Sequence, residues 1–168
     1  MRLETIKIGR IVNAHGIRGE VRVQPEGQDP AFLTRFKTFY LDGAPVTPTA
    51  NHVHKSLVLM KFPGVDDMNA ALALKGKDLY IRRADAKLPE GVCFDAELLG
   101  MAVYDAATGQ ALGEITRVDP YPAHKVYTVK GAREYLIPAV PDVFIKSVDL
   151  DDNRMEVHVW EGMAADEN

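Results

Sequence analysis

The chain has 168 residues, 46% of them hydrophobic and 26% charged, which suits a globular protein built as one large or two small domains. The net charge of −4 is unevenly divided: residues 1–88 hold 14 Lys and Arg against 9 Asp and Glu, whereas residues 89–168 hold 6 against 15. No apolar run approaches the roughly 20 residues of a membrane helix, no export segment precedes the first strand-like alternation, and the single Cys93 rules out an internal disulfide. A cytoplasmic protein without membrane contact is expected.

In chain order, Thr5 to Ala14 is rich in Ile and Val and reads as a strand, with Ile6 and Ile8 on one face and Lys7 on the other. Ile17 to Gln24 alternates again, Val21 and Val23 inward, Glu20, Arg22 and Gln24 outward. Between them His15-Gly16 supplies the positive φ that a tight reversal needs. Asp29-Pro30 is a helix cap followed by proline at the first helical position, opening a short helix toward Arg35. Phe36 to Leu41 and His52 to Phe62 read as strands. Asp66 or Asp67 caps a helix over Met68 to Lys75, Gly76 ends it, and Leu79 to Arg82 returns to strand.

Residues 85–92 lose the alternation and carry a Pro-Glu-Gly turn, so they are expected to link a basic module, 1–84, to an acidic one, 93–168. The second module resolves into strands at Leu98 to Asp105, Ala111 to Val118, Lys125 to Lys130, Glu134 to Pro138, Phe144 to Leu150 and Arg154 to Trp160, with turn residues between them. Short strands at this spacing predict an all-β fold of sandwich or barrel type.

Catalytic chemistry is hard to find. There is no phosphate-cradling glycine loop and no dinucleotide fingerprint. Asp149 to Arg154 imitates the first half of a calcium loop, but Arg154 stands where glycine is needed and Trp160 where the bidentate glutamate belongs; a solvated turn accounts for it better. His52 and His54 share a strand face yet lack a third ligand at metal-binding spacing. Cys93 has no nucleophile context. No cofactor, metal site or enzymatic activity is expected.

The most distinctive stretch is Gly9-Arg10-Ile11-Val12-Asn13-Ala14-His15-Gly16-Ile17-Arg18-Gly19-Glu20. Its Gly9, His15, Gly16, Gly19 and Glu20 match the opening hairpin of the bacterial ribosome maturation factor RimM family. The resemblance continues through Asp29-Pro30, Gly64-Val65-Asp66-Asp67, Ala70-Ala71 and Lys75-Gly76. In the second half it takes in Leu98-Leu99-Gly100, Gly113, Leu136-Ile137-Pro138-Ala139-Val140, Val148-Asp149 and Glu161-Gly162-Met163.

This resemblance implies two small β-barrels, an elongation-factor-type barrel followed by a PRC-type barrel, joined by a short linker. It implies a monomeric chaperone of ribosome assembly that binds the free small ribosomal subunit through ribosomal protein uS19 of the head and assists rRNA folding and processing. The acidic second barrel would suit a basic ribosomal protein. The basic first barrel would lie against rRNA through Arg10, Arg18, Arg22 and His15, with Arg35 and Lys37 nearby. The family's paired tyrosines before the second barrel are replaced here by Cys93 and Phe94, so Phe94, Cys93, Tyr104, Tyr121 and Tyr127 are the candidate partner contacts. The alternatives are an RNA-binding translation factor that works through the first barrel alone, and an enzyme whose site has no sequence signature.

Overall fold

The computed structural model describes residues 2–88, 93–160 and 162–164. It divides into two compact units, Glu4–Lys87 and Leu88–Asn168, the second also taking in the first three residues. Each unit is built on one curled, almost wholly antiparallel sheet of small-barrel type, with only short helices of four or five residues.

In the first unit β1 (Thr5–His15) and β2 (Glu20–Pro25) form the expected hairpin. β1 is long enough to pair on its other side with β7 (Asp78–Arg82). It can be central because Ile6, Ile8 and Ile11 bury one face completely, and register shifts near Lys7 and Val12 bend it around the core. The sheet order is β4-β3-β7-β1-β2-β6-β5, where β3 is Phe39–Leu41, β4 Ala44–Val46, β5 Ala50–His54 and β6 Leu57–Lys61. Proline at position 45 fits β4, an edge strand with no ladder donor to lose. Helix α1 (Pro30–Leu33) is capped by the Asp29 side chain, which accepts from Ala31 N–H, and α2 (Met68–Leu72) by Asp67 accepting from Ala70 N–H.

Three expectations in this unit are corrected. His52 to Phe62 is a hairpin, reversing at Lys55-Ser56 with Lys55 at φ 57°, a left-handed turn made without glycine. The strand expected at Phe36 begins only at Phe39, because Phe36 turns inward to stack edge-on between Phe32 and Phe39. The helix after Asp67 stops at Leu72, not Lys75, and passes into turns.

Helix α3 (Arg83–Ala86) occupies the start of the segment expected as a linker, and Lys87 ends it at φ 48°. Residues 89–92 of that segment lie outside the described residues.

The second unit has strand order β11-β10-β9-β8-β13-β12: β8 is Ala102–Asp105, β9 Ala111–Pro120, β10 Lys125–Lys130, β11 Glu134–Pro138, β12 Ile145–Asp149 and β13 Arg154–Val157. Its core gathers Met101, Val103, Ile115, Val129, Ile137, Met155 and Val157. The edge of β11 is partly covered by the chain end, whose Met163 carbonyl accepts from Leu136 N–H. Leu98 does not open a strand: it ends helix α4 (Asp95–Leu98), and Gly100 at φ 80° turns the chain into β8. The calcium-like segment is a turn, with Asp149 Oδ1 accepting from the N–H groups of Asp151 and Asp152.

Candidate functional site

The cations expected to face RNA end up in two different settings. At the open end of the β1–β2 ribbon, Arg10 Nε lies 2.9 Å from Asp78 Oδ1, and Lys7 bridges Glu26 at 3.1 Å and Asp78 at 3.4 Å. The hydrogen bond from Arg10, with its charge and that of Lys7, holds the Asp78 carboxyl below the usual range, while Asp78 raises Arg10 in turn. This end is a mutually neutralised network.

At the other end, Gly19 lets the hairpin tip rest on the next loop, for a Cβ there would run into the Val65 carbonyl. Lys61 Nζ fixes that loop, donating to the Val65 carbonyl and reaching Asp66 at 2.9 Å. Arg18 and Ile17 stand exposed on the tip, and Arg18 has no ion pair among the described residues.

Arg22 Nε donates to His15 Nδ1 at 3.1 Å, and the rings of His15 and His54 lie 5.5 Å apart. His15 sits opposite Glu20, Arg22 opposite Leu59, and Leu59 opposite His52, so these side chains share one face of β1, β2, β6 and β5. His54 was visible in the sequence only as a partner for His52 in a metal pair. The described residues contain no cluster of three or more ligand side chains that would make such a site.

The expected partner contacts scatter over the second unit. Phe94 is only 3% exposed, so its ring does not project from the surface. Its N–H donates to Glu97 Oε1 at 3.1 Å, and Leu3 N–H donates to Glu97 Oε2 at 3.0 Å, which satisfies a carboxylate that is fully buried. Cys93 and Tyr127 are half-buried and pack against the core. Burial pushes the Tyr127 phenol up to about 12, with Cys93 and Asp95 adding to the effect. Lys125 holds Asp95 at 2.7 Å beside them. Tyr104 has one face covered by the Arg154 guanidinium, 3.8 Å from the ring centroid.

Tyr121 stands apart. It is 57% exposed on the β9–β10 connection and lines an open cleft of about 390 Å³ with Thr116, Arg117, Asp119, Thr128 and Leu136. Arg117 and Asp119 pair at 2.7 Å on its wall, and Leu136 is exposed. Leu136 and His54 were not singled out as partner residues, since exposure and cross-strand proximity have no local sequence signal.

Comparison with known proteins places the chain in a family. Residues 6–86 match the RimM N-terminal domain and residues 95–163 the RimM PRC barrel domain. The ribosome maturation factor RimM of Acetivibrio thermocellus is 38% identical over 98% of this chain and 99% of its own length. That of Clostridioides difficile is 35% identical over 96% and 97%. Among solved structures, a 16S ribosomal RNA processing protein RimM from Pseudomonas aeruginosa is 30% identical, covers 92% of this chain and 97% of its own, and superposes with a TM-score of 0.46. The chain belongs to the ribosome maturation factor RimM family.

Proposed function

We propose that the protein is a cytoplasmic, monomeric chaperone of ribosome assembly. It binds the free small ribosomal subunit through ribosomal protein uS19 of the head and assists the folding and processing of small-subunit rRNA, without catalysis. The observation that carries this reading is the similarity to ribosome maturation factors along nearly the whole chain, both modules in order. Charge supports the division of labour: 15 acidic against 6 basic residues in 89–168 suit a basic ribosomal protein, and 14 basic against 9 acidic in 1–88 suit phosphates. No helix among the described residues is long and apolar enough to cross a membrane.

Within this proposal Tyr121 is the contact that best fits a protein partner, because it combines an exposed aromatic face with a cleft that also offers Leu136 and a charged pair. Tyr104, Tyr127, Cys93 and Phe94 are more enclosed and serve mainly to shape the unit. Residues 85–92 serve as the connection between the modules, so limited proteolysis should cut there first and leave two folded halves.

Gradient sedimentation of cell extract tests the main reading. The protein should travel with free small subunits and be missing from translating ribosomes. Migration with whole ribosomes, or at the top of the gradient, would overturn it. A translation factor acting through the first unit alone is separated by the isolated head protein: direct binding to it supports the chaperone reading, and loss of ribosome binding only on removal of the first unit supports the alternative.

A further inference from the structure

We propose that the face shared by β1, β2, β6 and β5 is a phosphate-binding cleft for the backbone of RNA, with Arg22 as its charged donor, His15 positioning Arg22, and His52 and His54 on the facing wall. The inference deepens the functional reading above and rests on it for the identity of the polyanion.

β1 and β5 are separated in the sheet by β2 and β6, yet the His15 and His54 rings approach to 5.5 Å. Strands lie about 4.8 Å apart and rise about 3.4 Å per residue, and the register sets His15 level with Ala50, four residues from His54, so a flat sheet would hold these two residues roughly 20 Å from each other. The sheet must therefore twist strongly enough to bring these two diagonal corners together on the face opposite the core of Val21, Val23, Val58 and Met60. Leu59, directly between Arg22 and His52 in the register, is only 3% exposed and forms the floor of the hollow.

Arg22 is half-buried, and among the described residues its guanidinium has no carboxylate partner; its one hydrogen bond goes to His15 Nδ1. Nδ1 accepts, so the proton of His15 is placed on Nε2, leaving that nitrogen as a donor. A guanidinium withdrawn partly from water and held by a neutral ring lacks the anion that usually accompanies it. The fork that remains free after Nε is engaged suits two oxygens of one phosphate. Charges facing the hollow are Glu20, opposite His15, and Lys61, opposite Glu20, whose ammonium turns away to Val65 and Asp66. Arg18 and Lys55, exposed on the two hairpin tips, add positive charge at the margins. Flat imidazole rings beside a phosphate donor also offer stacking surfaces to unpaired bases, which favours RNA over an acidic peptide.

The test uses the full chain, labelled for NMR at arginine and histidine side chains, with a short RNA stem-loop, inorganic phosphate and an acidic peptide as probes. Saturable shifts of Arg22 Nε and of the His15 and His54 ring nitrogens with RNA and, more weakly, with phosphate are expected. Unmoved resonances with RNA, or equal shifts with the peptide, would overturn the inference.

Arg22→Ala should weaken RNA binding about tenfold and lower the salt dependence by about one phosphate contact. Arg22→Lys guards against simple loss of folding. It keeps the charge and should keep the slope, while losing several-fold in affinity because lysine lacks the fork and the hold on His15. Lys77→Ala, which removes a cation already paired with Asp42, should leave RNA affinity unchanged; an effect as large as that of Arg22→Ala would also overturn the inference. If RNA leaves the cleft unmoved while the protein still sediments with small subunits, the inference fails and the functional reading stands. If the cleft binds RNA but the protein travels with no ribosomal particle, the reverse holds.

Discussion

On the face formed by β1, β2, β6 and β5, Arg22 and His15, the polar groups expected to bind, stay at or near the surface, with His54 beside His15 and Leu59 buried. At the start of α4 the expected anchor is enclosed. Phe94 and Glu97 are buried, and the carboxylate is spent on the backbone N–H groups of Phe94 and Leu3. The contrast follows from desolvation. A guanidinium withdrawn fully from water costs several kcal/mol, so a cation legible in the sequence is nearly always found outside. A phenylalanine gains about 1.5–3 kcal/mol by entering the interior, so its presence near a motif says little about whether a partner can reach it.

The largest effect that could break this contrast is Phe94→Ala. Losing a buried phenylalanine should cost about 3 kcal/mol or more, a fall of roughly 12–24 °C in the melting temperature of a unit of this size. Thermal unfolding followed by circular dichroism measures it. If the melting temperature holds and affinity for small subunits falls tenfold instead, Phe94 is a partner contact and the two faces are alike after all.

Next in size is Glu97→Gln. The amide retains one acceptor oxygen where two backbone N–H groups now bond, so one buried donor loses its partner at a cost of about 2 kcal/mol. Urea unfolding should report that loss with an unchanged slope. A neutral result would mean that water reaches the site.

Burial at the same end of the second unit should also be visible in alkali. The Tyr127 phenol moves from 10.0 to about 12 on folding, so the folded chain keeps its proton where the unfolded chain has released it. Stability is therefore intact below pH ~10 and declines as pH rises toward 12, by on the order of 1–2 kcal/mol once its remaining exposure is discounted. Phenolate absorbance during an alkaline titration should show a late component that Tyr127→Phe removes. Its persistence in that variant would assign it to another tyrosine.

Much of the scaffold was legible. The β1–β2 hairpin, the caps at Asp29 and Asp67, and the bounds of β10 and β11 follow from alternation, Asx chemistry and turn residues, all local signals. The reversal at Lys55-Ser56 was hidden, because lysine takes the left-handed position that glycine or asparagine usually marks. Helix α4 was hidden too: Leu98 and Leu99 suit a strand as well as a short helix, and only the buried Glu97 distinguishes them. At the candidate site, the residue types were readable and their partners were not. Arg10 and Asp78 are 68 residues apart, and nothing near either in sequence announces the pairing.

That pairing gives the smallest and most discriminating prediction. Arg10 and Arg18 belong to one hairpin and look equivalent in the sequence, yet Asp78 holds Arg10 at 2.9 Å while Arg18 has no ion pair among the described residues. A phosphate must compete with Asp78 for Arg10, but it meets Arg18 unopposed. Arg18→Ala should therefore lower the dependence of small-subunit binding on log salt by about one contact, and Arg10→Ala by clearly less. Neither change should move stability by more than about 0.5 kcal/mol, since both side chains are exposed and surface ion pairs contribute little. Binding isotherms at several salt concentrations decide it. Equal slopes for both variants would mean that the ion pair opens freely when RNA arrives, and that formal charge, not charge left unpaired by the fold, governs the basic face. A smaller change for Arg18 than for Arg10 would place the RNA contact at the open end of the ribbon, beside Lys7 and Glu26, and away from the hairpin tip.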